Sequence, residues 1–220
     1  MNIMRAFAEN HAHPRGWLGR FIGFHLARHN REPNDWTLSL LDLQPTDHVL
    51  EVGFGPGLGV QQAAAIVSAG MVAGVDPSEV MLAMASKRNA AGIAAGRVHL
   101  EKGDLAALPY ASDSFDKAFA VQVIYFLAAP VADLTELRRV MKPGGRVALF
   151  MEAKQKLARS GALLDGIYKL YTPEEVVRFL EEAGFTRISI RYVSPVQPLL
   201  PVLPTWPEDD PDSATHAWNK

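Results

Sequence analysis

The segment that most constrains this chain is His48-Val49-Leu50-Glu51-Val52-Gly53-Phe54-Gly55-Pro56-Gly57-Leu58-Gly59. Val49, Leu50 and Val52 around the single acid Glu51 read as a buried strand, and the pattern turns helical after Leu58. A strand that runs through a glycine-rich turn into a helix lets backbone approach a ligand closely, since glycine has no Cβ and accepts positive φ. The dinucleotide spacing G-x-G-x-x-G fails in both registers. Counted from Gly53 the third glycine falls on Leu58, and counted from Gly55 it falls on Val60. What fits is an acid followed by G-x-G-x-G: Glu51, Gly53, Gly55 and Gly57.

Around this segment, short apolar runs alternate with helical patterns, as repeated βαβ units of a parallel sheet do. Strands are expected at His48 to Val52, Met71 to Val75, Arg97 to Glu101, Lys117 to Val123 and Arg146 to Met151, all five buried. Helices are expected at Leu58 to Ser68, Ser78 to Asn89 and Val131 to Met141. In the last of these, Val131, Leu134, Leu137 and Met141 share one face. Pro143, Gly144 and Gly145 supply a helix stop and a turn before the fifth strand. Upstream, Gly16 to Arg31 and Asn34 to Leu43 read as helices over the sheet's C-terminal edge, with Asn34 or Asp35 as N-cap. Downstream, Thr172-Pro173-Glu174-Glu175 matches a capping box opening a helix to Gly184, followed by a strand at Thr186 to Tyr192. Residues 152 to 170 show no strong period and read as a connection or a lid.

With these residues in place, the chain resembles the class I S-adenosylmethionine-dependent methyltransferases, in particular the small-molecule branch that includes ubiquinone and menaquinone biosynthesis enzymes. Beyond the glycine loop, the resemblance rests on Val75-Asp76, Gly103-Asp104-Leu105, Ser114-Phe115-Asp116 and Met141-Lys142-Pro143-Gly144-Gly145, in the family's order one βαβ unit apart. It covers roughly residues 35 to 192. It implies an α/β, Rossmann-like, doubly wound and mostly parallel sheet with helices on both faces, S-adenosylmethionine as methyl donor, and S-adenosylhomocysteine as product.

By the same resemblance, Gly53, Gly55 and Gly57 cradle the cofactor and Glu51 sits near its ammonium group, directly or through water. Asp76 takes both ribose hydroxyls, unless it is merely a cap for the helix at Ser78. Gly103, Asp104 and Leu105 lie near the adenine, with a turn-forming role as the alternative for Gly103-Asp104. Phe54, Pro77 and Met81 pack around the ligand, and Val121 offers backbone contacts. Asp116 is read as structural.

The sulfonium is already a good leaving group, so positioning and water exclusion carry most of the chemistry, and neither a catalytic triad nor a metal set is evident. No catalytic base is assigned. Gln122 cannot titrate and is read as a cofactor or acceptor contact; Tyr125 either lines the acceptor pocket or packs. Trp17, Phe21 and Phe24 amid arginines read as part of a helix over the active site, with contact to a membrane surface as the alternative. His11, His13, His25 and His29 suggest no metal centre, because the zincin pattern would need Glu where Leu26 stands.

Composition narrows the partners. With 22 Lys+Arg against 24 Asp+Glu and a formal net charge of −2, the chain lacks the basic surface of a nucleic-acid binder. The absence of cysteine excludes disulfides, thiol catalysis and thiolate metal sites. No stretch approaches a membrane span or a signal peptide, so a cytoplasmic protein is expected. The expected organisation is a helical cap over the site at 1–34, a cofactor-binding methyltransferase domain at 35–194 and a proline-rich tail at 195–220. The tail's prolines at 195, 198, 201, 204 and 207 match the polyproline II turn and forbid a central strand there. The expected partner is a small-molecule acceptor. The competing readings are a lipid- or quinone-directed methyltransferase at the membrane surface and a cofactor-binding module without turnover.

Overall fold

The computed structural model describes residues 16–152, 169–194 and 197–199. Helices α1 (Gly16–His29) and α2 (Arg31–Leu41) lead into β1 (His48–Val52), α3 (Leu58–Ile66), β2 (Met71–Asp76), α4 (Glu79–Arg88), α5 (Ala90–Ala94) and β3 (Val98–Lys102). There follow β4 (Phe115–Val121), a 3₁₀ turn at Ile124–Phe126, α6 (Pro130–Val140), β5 (Met141–Phe150), α7 (Pro173–Glu182), β6 (Arg191–Ser194) and β7 (Gln197–Leu199). Five strands form one parallel sheet in the order β3-β2-β1-β4-β5. The fold is Rossmann-like α/β, as the resemblance implies.

Alternate strand residues feed two cores, because side chains on a strand point to opposite faces. Leu50, Val52, Ala118, Ala120, Val147 and Leu149 pack with Leu134 and Leu137 of α6 and with Val176 and Leu180 of α7. Val49, Phe119, Val121 and Ala148 pack on the other face with Leu38 and Leu41 of α2, Val60 and Ala63 of α3, and Met81 and Ala85 of α4. Burial on both faces explains why the central strands read as apolar runs rather than as alternating ones. Strand β3 departs from that expectation. It is the edge strand, and of its five residues only Val98 is buried.

Three further local expectations are corrected. Helix α2 starts at Arg31 behind Asn30, and Asn34 is buried inside it rather than capping it. Pro33 is tolerated in the first turn, where its missing N–H is not needed. This helix packs on the face of β4 and β5 and on α3 rather than over the strand ends, and the expected domain boundary at 34 falls within it. The strand expected at Thr186 to Tyr192 does not form as such. Arg187 takes a left-handed φ of 55° that interrupts the extended run, and Ile188 and Ile190 pack on the core instead. Of this run only Arg191 and Tyr192 join a strand, Arg191–Ser194, paired antiparallel with Gln197–Leu199 outside the main sheet. The turn expected at Pro143 to Gly145 lies inside β5, where the register with β4 shifts between Phe115 and Lys117.

The capping box is present in full. Thr172 Oγ1 accepts from the Glu175 amide at 3.3 Å, and Glu175 Oε2 accepts from the Thr172 amide at 2.7 Å. Such a cap contributes about 1 kcal/mol to the helix it opens. The 153–168 segment and most of the proline-rich tail, including Pro195, lie outside the described residues.

Candidate cofactor site

In an open parallel sheet, a crevice opens at the carboxyl ends of two strands whose connections leave in opposite directions. Here β1 is flanked by β2 on one side and β4 on the other, and the glycine loop follows β1. Gly53 donates to the Val75 carbonyl at 2.8 Å, and Gly57 donates to the Phe54 carbonyl at 2.9 Å, curling the loop over the strand ends. At Gly55 φ is 49°, and a Cβ built there would meet nothing within 4 Å. At Gly57 φ is 77°, and a Cβ would lie 2.6 Å from the Ala85 Cβ and 2.7 Å from Asn89 Nδ2. The first glycine therefore borders open space, while the second is required by packing.

Two acids stand beneath the loop. Asp76, 6% exposed at the end of β2, accepts from the Gly55 amide at 2.8 Å through Oδ2 and from the Ser78 amide at 2.9 Å through Oδ1. The cap of α4 is Ser78, whose hydroxyl accepts from the Met81 amide, so Asp76 is not needed for that role. Glu51 is 3% exposed, with its carboxylate under Gly59 in the first turn of α3 and its Oε2 without a hydrogen-bond partner. Burial pushes its pKa well above the usual carboxylate range, and the negative charge of Asp76 adds to this. The Val60 amide, which donates to it, pulls the other way and does not offset them.

The other expected site residues separate into those at the crevice and those turned inward. Gly103 follows β3 and donates to the Asp76 carbonyl at 3.1 Å. Asp104 is exposed, and its Oδ1 accepts from the Ala106 amide at 2.9 Å, which is the geometry of a turn. Pro77 is exposed, and Met81 is buried behind it, against the position where a Cβ on Gly23 of α1 would stand. Phe54 lies against Gly74 in the core of the α2–α4 face, Leu105 is buried in the opposite core, and Val121 ends β4 inside the first. The side chain of Trp17 is outside the described residues.

Gln122, just past β4, takes φ 64° and donates its amide to the Phe150 carbonyl at 2.9 Å. A non-glycine residue held in the left-handed region stores strain that its surroundings must impose, and such positions cluster at ligand sites. Tyr125 resolves towards packing: it is 3% exposed in the α6–α7 core, and its hydroxyl bonds the backbone of Glu152, donating to the carbonyl at 3.2 Å and accepting from the amide. Burial drives its pKa far upward. The Tyr125 carbonyl also accepts from Lys169 at 3.0 Å, so one residue fastens the chain on both sides of 153–168.

Sequence reasoning missed two side chains at the end of α4. Arg88 Nε donates to the Pro56 carbonyl at 2.9 Å, and Asn89 Nδ2 donates to the Gly57 carbonyl at 3.0 Å. They lie 32 residues from the loop, and only a polar pair at a helix end marked them.

Residues 50–149 match the family model described as "Methyltransferase domain". The chain is 30% identical over 133 residues to "Uncharacterized methyltransferase YdaC" of Bacillus subtilis (strain 168), covering 60% of this chain and 71% of that protein. It is 35% identical over 117 residues to a demethylmenaquinone methyltransferase of Symbiobacterium thermophilum, covering 53% of this chain but only 46% of that one. The fold matches the crystal structure of a SAM dependent methyltransferase from Aquifex aeolicus with a TM-score of 0.64 at 22% identity, over 78% of this chain and 89% of the other.

Proposed function

The chain belongs to the class I S-adenosylmethionine-dependent methyltransferases, and from that premise we propose that it transfers the cofactor's methyl group to a small-molecule acceptor by in-line displacement. The observation that carries the reading is the loop after β1: a left-handed Gly55 borders open space and donates to the buried carboxylate of Asp76 at the end of β2, while Glu51, buried under Gly59, leaves its Oε2 unpartnered. These features fit the cofactor. A cationic amino-acid end offsets a buried acid, and ribose hydroxyls suit a carboxylate at the carboxyl end of a sheet strand.

When bound, S-adenosylmethionine supplies a methyl group on a sulfonium, which needs no activation by the protein. In this reading Asp76 orients the ribose, Glu51 faces the ammonium end, and the loop from Gly53 to Gly57 supplies backbone contacts. Pro77 flanks the ligand with the buried Met81 behind it, Gly103 and Asp104 lie toward its base ahead of the inward-turned Leu105, and Gln122 borders the acceptor side. The buried Tyr125 holds the backbone of Glu152 and Lys169 and does not serve as a base.

The test is incubation with methyl-labelled S-adenosylmethionine and a panel of small acceptors, led by phenolic and quinol rings because one relative is a demethylmenaquinone methyltransferase. Label transfer to one class supports the reading. Tight cofactor binding with no transfer across the panel and a cell metabolite extract would favour a binding module.

One observation favours a variant of this reading at a membrane surface. On α1, Phe21 and Phe24 are 64% and 65% exposed on a helix that also carries Arg20 and Arg28, with Arg31 opening α2. No helix among the described residues is long and apolar enough to cross a membrane. Co-sedimentation with anionic vesicles that is lost in Phe21→Ser/Phe24→Ser would support surface contact.

A further inference from the structure

Helix α4 joins the two halves of the crevice. Its first turn is fixed to the end of β2, where Ser78 caps it and donates its own amide to Asp76. Its last turn grips the glycine loop. Arg88 bonds the Pro56 carbonyl at 2.9 Å and reaches Gln61 Oε1 at 3.5 Å, while Asn89 divides its Nδ2 between the carbonyls of Gly57 and Ala85, both at 3.0 Å. Ten residues of α-helix make a strut about 15 Å long between these fixed ends. The Gly55–Asp76 bond closes the ring on the other side.

What these two side chains hold is peptide orientation. A trans peptide is planar, so a carbonyl fixed in one direction aims the next residue's N–H in the opposite one. Arg88 thereby sets the Gly57 amide, and Asn89 sets the amide of Leu58, the first residue of α3, away from α4. Asn89 is 5% exposed, and its Nδ2 lies 2.7 Å from where a Cβ on Gly57 would stand.

We propose that Asn89 and Arg88 are positioning residues for the cofactor: they hold the peptide planes of Pro56 and Gly57 so that the loop keeps its binding shape, without touching the ligand themselves. The proposal rests on the reading of this crevice as the cofactor site.

The experiment compares wild type, Asn89→Asp, Arg88→Met and Arg88→Lys by calorimetric titration with S-adenosylmethionine and S-adenosylhomocysteine, with melting of the ligand-free proteins recorded separately. Asn89→Asp keeps the shape but replaces two donated bonds with a carboxylate facing two carbonyls. Its affinity for both ligands should fall roughly 5 to 150 fold. Arg88→Met should lose roughly 3 to 10 fold, and Arg88→Lys, which keeps a donor, should recover most of that. A folded Asn89→Asp that binds within about twofold of wild type overturns the proposal. If Asn89→Asp does not fold, Arg88 decides: a Met variant equal to wild type, or a Lys variant as weak as Met, overturns it. Wild type that binds neither ligand overturns the cofactor reading itself, a different failure from the loss of this positioning role.

Discussion

The amide of Gly55 donates to Oδ2 of Asp76 at 2.8 Å, a bond across 21 residues that ties the glycine loop to the end of the neighbouring strand. Asp76 therefore serves both the loop's shape and, in the proposed function, the ribose. Replacing it with alanine should weaken S-adenosylmethionine and S-adenosylhomocysteine equally, by roughly 10 to 150 fold, since bonds to a charged group contribute about 1.5 to 3 kcal/mol. Asp76→Asn, which keeps one acceptor, should fall between the two. Turnover at saturating cofactor should drop less than affinity does. An alanine variant that binds both ligands within about twofold, yet melts several degrees lower, would reduce Asp76 to a structural brace.

The two loop glycines should behave differently. A Cβ at Gly55 meets no protein atom, so Gly55→Ala should cost about 1 to 2 kcal/mol of backbone strain and leave the fold intact while abolishing cofactor binding. A Cβ at Gly57 collides with Ala85 and Asn89, so Gly57→Ala should lower the melting temperature further. Thermal melts and titrations of the pair check this. Normal binding by Gly55→Ala would take the loop out of the site.

Tyr125→Phe removes the hydroxyl that satisfies the Glu152 amide and carbonyl. Losing these two part-buried bonds should cost about 1 to 3 kcal/mol of stability, read by denaturant unfolding. Cofactor affinity should be unchanged. If the pH profile of turnover loses a limb in this variant, Tyr125 acts as a base and its burial here is not its working state.

Glu51 gives a pH-dependent signature. Its pKa in the folded protein lies above that of the unfolded chain, so the folded state holds the extra proton. The stability this contributes is full below the unfolded carboxylate pKa and is lost as pH rises through the raised folded value. Glu51→Gln, neutral at every pH, should therefore melt higher than ligand-free wild type at about pH 8, with the gap closing towards about pH 4. The same variant should bind the cofactor more weakly. A gap that widens on acidification would contradict the buried, ligand-free carboxylate described here.

Much of this was legible locally. Val49 to Val52 before Gly53 set β1 to its residue limits, and Thr172 to Glu175 announced their cap, because those signals lie within one turn or one strand. At the end of β2, Asp76 and Ser78 are both capping residue types on either side of Pro77, and only the geometry assigns the cap to Ser78. Arg88 and Asn89 gave no signal beyond being a polar pair at a helix end, since their partners are carbonyls of a loop 32 residues away and any residue has a carbonyl. The resemblance placed Phe54 at the ligand and the residues left Tyr125 open between the acceptor pocket and packing, because an aromatic side chain turns to whichever core has room for it. The strand expected after Thr186 failed on a single left-handed residue, Arg187, whose type carries no turn preference.

The most direct test of the central claim is calorimetric titration of the purified protein with S-adenosylhomocysteine, with NAD in parallel. The crevice described here predicts saturable binding of S-adenosylhomocysteine, weakened in Asp76→Ala and abolished in Gly55→Ala, and no comparable binding of NAD. NAD binding at similar strength, or S-adenosylhomocysteine binding indifferent to both substitutions, would contradict the account.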